Sequence, residues 1–206
     1  MIRTVTIGGE YGSGRAEIAR RLAEKLGWRL LDSALIQQIA STAHVDPSLA
    51  MRYDECIDSF LHRMHKALWR GGYEGVASTT ESDVFDADTM AELSRCVIES
   101  AAKEGNCVIV GRGGQCILQE RSDVFHVFVY APLAERIERV RREGDAAADP
   151  EAQIASVDHR RSAYIRRYFG QEWGNRHLYD LMLCSSMGEA AAVAAILAAI
   201  GRGPER

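Results

Sequence analysis

Arg3-Thr-Val-Thr-Ile-Gly-Gly-Glu-Tyr-Gly-Ser-Gly-Arg-Ala-Glu-Ile-Ala-Arg-Arg-Leu-Ala-Glu-Lys-Leu26 reads as a strand, a glycine-rich turn and a helix. Thr4 to Ile7 is β-branched throughout, as befits a buried parallel strand. Gly8, Gly9, Gly12 and Gly14 follow within seven residues. Ile18, Leu22 and Leu26 then recur at helical spacing, with Ala19 and Ala23 on the same stripe and charges opposite. Such a turn presents backbone N–H groups to an anion, and the helix start adds a partial positive charge. Gly9, Tyr11, Gly12, Ser13, Gly14 and Arg15 are therefore candidate phosphate-binding residues. The segment follows the frame G-x-x-x-x-G-K-[ST] but departs at its end. Arg15 stands in place of Lys, and Ala16 replaces the Ser or Thr that ligates magnesium. Arg15 either neutralises phosphate or points to solvent from the first helical turn.

With 206 residues, 47% of them hydrophobic, the chain can bury a full core. One domain carrying an insertion is expected. A formal net charge of -4 argues against a general nucleic-acid binder. No apolar run reaches the ~18 residues of a membrane span. The chain enters a strand at once, so no signal peptide is expected. Cys56, Cys96, Cys107, Cys116 and Cys184 are scattered and lack metal spacing, which suits reduced thiols in a cytoplasm and no metal site.

Working outward, Gly27 ends the first helix and Trp28 to Leu31 forms a second strand. Asp32 closes it, either touching substrate at the sheet's carboxyl edge or capping the next helix over Ser33 to Ser41. From Thr42 to Asn106 the patterns are helical: Met51 to Trp69, a polar loop over Ser78 to Asp88, and a helix over Thr89 to Lys103. So long a crossover is an insertion that covers a ligand.

Cys107 to Val110 is a third strand, and it runs into Gly111-Arg112-Gly113-Gly114. Arg112 is thereby offered to phosphate at the same crevice, unless it is an ordinary exposed turn residue. Val124 to Tyr130 is the clearest strand, and Leu133 to Arg142 a basic helix with Ile137 and Val140 inward. Gly144 to Pro150 reads as a mobile stretch. A second arginine field, Arg160, Arg161, Arg166 and Arg167, reads as a cationic flap closing on phosphates. Tyr179 to Cys184 is a fifth strand, Met187 to Ile200 a closing helix and Gly201 to Arg206 a frayed tail. Five strands alternating with helices make an α/β fold with a parallel sheet, and the charged strand ends indicate phosphoryl transfer.

These residues resemble the cytidylate kinase-like family, a branch of the nucleoside monophosphate kinases within the P-loop kinases. The resemblance rests on Glu10 to Gly14, Glu17 to Ala19, Asp32 with Leu35-Ile36, Val108 to Gly113 and Val127 to Pro132. It continues through Asp158 with Arg160, Arg161 and Tyr164, then Glu172 to Gly174 and Tyr179 to Leu181. That branch commonly lacks the loop lysine. The resemblance implies a three-layer fold with a five-stranded parallel sheet of order 2-3-1-4-5. It implies a core of 1–41 and 104–200, a nucleoside monophosphate-binding insertion at about 42–103 and a lid at about 143–170. It implies ATP with Mg²⁺, the phosphates on Gly12, Ser13, Gly14 and Arg15. CMP or dCMP would lie against Asp32 and Arg112, with Asp158 and Arg167 on the substrate side. Arg15, Arg112, Arg160 and Arg161 would serve the transferred phosphoryl group. True cytidylate kinases have Asp after the Gly-Arg pair, where this chain has Gly113. A small-metabolite kinase of the dephospho-coenzyme A type and a non-catalytic nucleotide-binding protein are the alternative readings; Ala16 favours the second.

Overall fold

The computed structural model describes residues 1–32, 81–143 and 149–201. The expected helices over Ser33 to Ser41 and Met51 to Trp69, most of the Gly144 to Pro150 stretch and all but the first residue of the tail lie outside them. Five parallel strands form one sheet in the order β2-β3-β1-β4-β5, the expected 2-3-1-4-5. They are β1 Thr4–Gly9, β2 Arg29–Leu31, β3 Cys107–Val110, β4 Val124–Tyr130 and β5 Leu181–Cys184. The helices are α1 Arg15–Leu26, α2 Glu81–Glu104, α3 Gly114–Ile117, α4 Leu133–Arg142, α5 Pro150–Phe169 and α6 Glu189–Ala199.

Strand alternation divides the core between two faces. Val5, Ile7, Val108, Val110, Val127 and Val129 turn to one side and pack with Ile18 and Leu22 of α1 and Ile196 of α6. Cys107, Ile109 and Val124 turn to the other and meet Val97, Ile98 and Ala102 of α2 and Leu118. Thr4 and Thr6 share that second face and are satisfied there. Thr4 Oγ1 lies 3.6 Å from Cys107 Sγ, and Thr6 Oγ1 lies 2.7 Å from His126 Nδ1.

Four expectations change. Strand β1 continues through Gly8 and Gly9, which register with Phe128 and Val129. The polar segment expected to loop through Asp88 is helical from Glu81. The fifth strand begins at Leu181, because Asp180 Oδ2 accepts the His126 N–H at 2.7 Å and Tyr179 joins a small core with Phe128 and Leu178. A 3₁₀ turn over Ser185–Met187 delays the last helix to Glu189. Among the described residues no helix is long and apolar enough to cross a membrane, and Cys96, Cys107, Cys116 and Cys184 form no disulfide.

Burial holds the His126 pKa below its usual 6.5, partly offset by Asp180. Below that value the unfolded chain takes up a proton that the folded chain refuses, so stability falls as pH falls. The urea midpoint should drop more between about pH 7 and about pH 5 in the native protein than in His126→Gln. Parallel pH profiles would show that His126 titrates normally.

Candidate active site

The carboxyl ends of β1 and β3 open onto one cleft of about 300 Å³. Gly8 comes from β1, Arg15 from the first turn of α1, and Gly111, Arg112 and Gly113 from the turn after β3. Arg160, Arg161 and Tyr164 come from α5, and Trp173 from the segment before β5. Four guanidinium groups from three separate elements thus meet in one cavity, which the sequence places far apart.

The glycine-rich loop turns between Gly9 and Arg15. Gly14 caps α1 with φ 77° and makes no side-chain cap hydrogen bond, so the first-turn N–H groups could receive an anion. The Arg15 guanidinium leans inward: its Nη1 comes within 3.5 Å of where a Cβ on Gly111 would stand. Burial, then the neighbouring Arg161, pull its pKa down to about 9. A guanidinium remains protonated at neutral pH even then. Burial also lowers the pKa of Arg161. The Tyr164 phenol is pushed up by burial, so it stands in the cleft as a neutral hydroxyl.

The turn after β3 takes three successive positive φ values: Gly111 76°, Arg112 54° and Gly113 73°. Arg112 tolerates this only because its neighbours are fixed, since φ > 0 is uncommon outside glycine. A Cβ on Gly113 would lie 2.4 Å from the Phe169 ring at the end of α5. That ring therefore fills the space in which a side chain at 113 would begin.

Side chains of α4 and α5 strap the loop. Arg136 is 7% exposed. Its Nε donates to Tyr11 O at 2.7 Å, and its guanidinium pairs with Asp158 and with Glu10 at 3.3 Å. Asp158 Oδ1 accepts the Tyr11 N–H at 2.8 Å. Glu10 Oε2 accepts the Ala131 N–H at 3.1 Å. Arg161 Nη1 donates to Gly9 O at 3.0 Å and its guanidinium lies over the Tyr11 ring at 5.6 Å. Arg139 Nη1 donates to Gly12 O at 3.2 Å. Charge-assisted bonds of this kind are the stronger ones and hold loop geometry before any ligand arrives. From the sequence Arg136 and Arg139 belong only to a field of positive charge and Glu10 only to the loop motif; the strap they form is visible in the structure alone. Helix α4 buries Arg136 and Val140 at i and i+4, where Ile137 and Val140 were expected inward.

Of the expected site residues, Arg15, Arg112, Arg160 and Arg161 line the cleft. Asp158 is spent on Tyr11, Arg136 and, at 3.7 Å, Arg161. Arg167 stands outside, paired with Asp88 at 2.9 Å, where Tyr168 also donates to Asp88 at 2.7 Å. It follows Arg160 by seven residues, about 10 Å along the helix axis. Asp32 is exposed and does not line the cleft. Ser13 is fully buried, and among the described residues its Oγ has no hydrogen-bond partner. Ala16 is exposed and has no hydroxyl. Among the described residues no three of His, Cys, Asp and Glu converge in a manner that would hold a metal ion.

A family model described as the cytidylate kinase-like family matches residues 4–187. A cytidylate kinase of Ignicoccus hospitalis is 25% identical over 195 residues, covering 93% of this chain and 95% of its own. One of Pyrococcus furiosus is 28% identical over 198 residues, 95% of this chain and 86% of its own. Among solved structures, an uncharacterized protein from Eubacterium ventriosum superposes with TM-score 0.69 at 20% identity, over 98% of this chain and 99% of that one. A shikimate kinase from Acinetobacter baumannii, solved in complex with shikimate, gives TM-score 0.54 at 16% identity, over 100% of this chain and 97% of its own. These structural likenesses show the fold: that of the P-loop kinases.

Proposed function

The chain belongs to the cytidylate kinase-like family, and from that premise we propose that it transfers the γ-phosphoryl group of ATP to a nucleoside monophosphate, CMP or dCMP foremost. One observation carries the reading: Arg15, Arg112, Arg160 and Arg161 converge on a cleft beside a phosphate loop. Phosphoryl transfer needs little covalent help; it needs donor and acceptor aligned and their charge neutralised. The glycine loop and the start of α1 would hold the donor phosphates, with Arg15 in the role of the absent lysine. Arg112 would take the acceptor's phosphate, and Arg160 and Arg161 would bridge the group in flight. The insertion at about 42–103 would carry the acceptor, with Asp32 at its root, and the segment at about 143–170 would act as the lid.

On this reading Asp158 works through others, by fixing the Tyr11 backbone and Arg161, and Arg167 works from outside the cleft. Phe169 against Gly113 leaves no room for an Asp at that position, so the acceptor base is read by other groups than in cytidylate kinases that have it. Magnesium would arrive with ATP. Four described cysteines outside any disulfide suit a cytoplasmic enzyme. A non-catalytic nucleotide binder is the second reading, favoured by Ala16 alone.

The test is a panel assay. Purified protein with ATP and Mg²⁺ should release ADP with CMP or dCMP well above its release with AMP, GMP, UMP, shikimate or dephospho-coenzyme A. Preference for a non-nucleotide acceptor would replace the substrate assignment while sparing the kinase fold.

A further inference from the structure

The cleft holds its anions with guanidinium groups, and the described residues offer magnesium no ligand. Resting on the nucleotide-kinase reading above, we infer that the chain grips the nucleotide's phosphates without coordinating the metal. The metal-free polyphosphate is then at least as good a ligand as its magnesium complex.

Among the described residues, each position beside the cleft that could supply a ligand is otherwise filled or committed. The residue after Arg15 in the first turn of α1 is Ala16, whose methyl group has no lone pair to give. The end of β3 presents the Arg112 guanidinium where a carboxylate would be needed. Glu10 and Asp158 are the acids bound to the phosphate loop, and both pair with Arg136. Turning either toward a metal would leave a buried cation short of its counter-charge. The loop's two hydroxyls do not line the cleft: Ser13 is buried, and the Tyr11 phenol accepts from Gln153 Nε2 at 3.2 Å. Asp32 does not line it either.

The positive charge in this site is thus built in, and it is concentrated. Burial and then the Arg161 charge lower the pKa of Arg15, and an anion in the cleft that both line would relieve that repulsion. Magnesium neutralises part of a nucleotide's charge, and what it neutralises the arginines can no longer attract. Guanidinium groups also bind phosphate oxygens in pairs, and those oxygens are the ones a metal would occupy.

The experiment is calorimetric titration of the full chain with ATP in EDTA and in Mg²⁺ at matched ionic strength, with Mn²⁺ alone titrated by electron spin resonance. The dissociation constant in EDTA should equal or fall below that in Mg²⁺, and Mn²⁺ alone should not bind. Arg15→Ala should weaken metal-free binding by ~10-fold or more, with Arg15→Gln as the second variant if the alanine protein does not fold. Tightening of ATP by Mg²⁺, or stoichiometric Mn²⁺ on the protein alone, would overturn the inference. Absence of binding in both media would bring down the nucleotide reading and this inference with it.

Discussion

Arg15→Ala lowers kcat/KM for phosphoryl transfer by two or more orders of magnitude, and Arg15→Lys retains measurable activity. The guanidinium leaves the first turn of α1 and lies against Gly111 in the cleft, beside Arg161. It is thus aimed into the cleft, where the proposal places the donor phosphates, and not at solvent. Losing one such donor from a closed site costs ~2.7–4 kcal/mol of transition-state stabilisation, judged from lost oxyanion donors. Lysine keeps the charge but loses the fork, so it recovers part of the effect. The loss should appear in both KM for ATP and kcat, since Arg15 holds the donor phosphates in the ground state and in the transition state. Steady-state kinetics with a thermal-melt control reads it. An Arg15→Ala protein as active as the native one would remove Arg15 from the machinery and leave its charge to the α5 arginines.

Gly9→Ala is expected to cost on the order of 3–5 kcal/mol of stability, from backbone strain and overpacking together. Gly9 has φ 151°, and a Cβ there would stand 2.2 Å from the Val129 carbonyl oxygen, inside the β1–β4 ladder. Backbone in a central strand pair has nowhere to move. Gly8→Ala is the control one residue away. Its Cβ would meet the Tyr179 ring at 3.5 Å, an ordinary contact. Denaturant midpoints should separate the two variants widely. Equal midpoints would mean that β1 does not continue through Gly9.

Much of the fold was legible before any coordinates, for a physical reason. Buried parallel strands such as Thr4–Ile7, Cys107–Val110 and Val124–Tyr130 are short β-branched or apolar runs that end in glycine, proline or charge. Gly9 was harder: a glycine at a strand end reads as a turn, and only the ladder to Val129 shows that it is still strand. The start of α2 was lost for the opposite reason, since a polar, acidic run gives no apolar stripe to count, although acids favour a helix start.

The site divides along the same line. Arg112 and Arg15 could be read because glycine loops at strand ends are places where backbone and charge meet ligands. Arg136 could not. An arginine in a basic helix defaults to solvent, and its burial depends on Glu10 and Asp158 arriving from elsewhere in the chain. For Asp158 and Arg167 the motif gives the residue but not its surroundings. The first is taken up by the loop it steadies, and the second lies two helical turns from Arg160, where it pairs with Asp88.

The central claim is that the arginine cleft transfers phosphate between nucleotides, and phosphorus NMR of a single reaction tests it most directly. With ATP and CMP supplied together, the β-phosphorus signal of CDP should rise in step with that of ADP, at one equivalent each. ADP formed without CDP, or tight nucleotide binding with neither product, would contradict it.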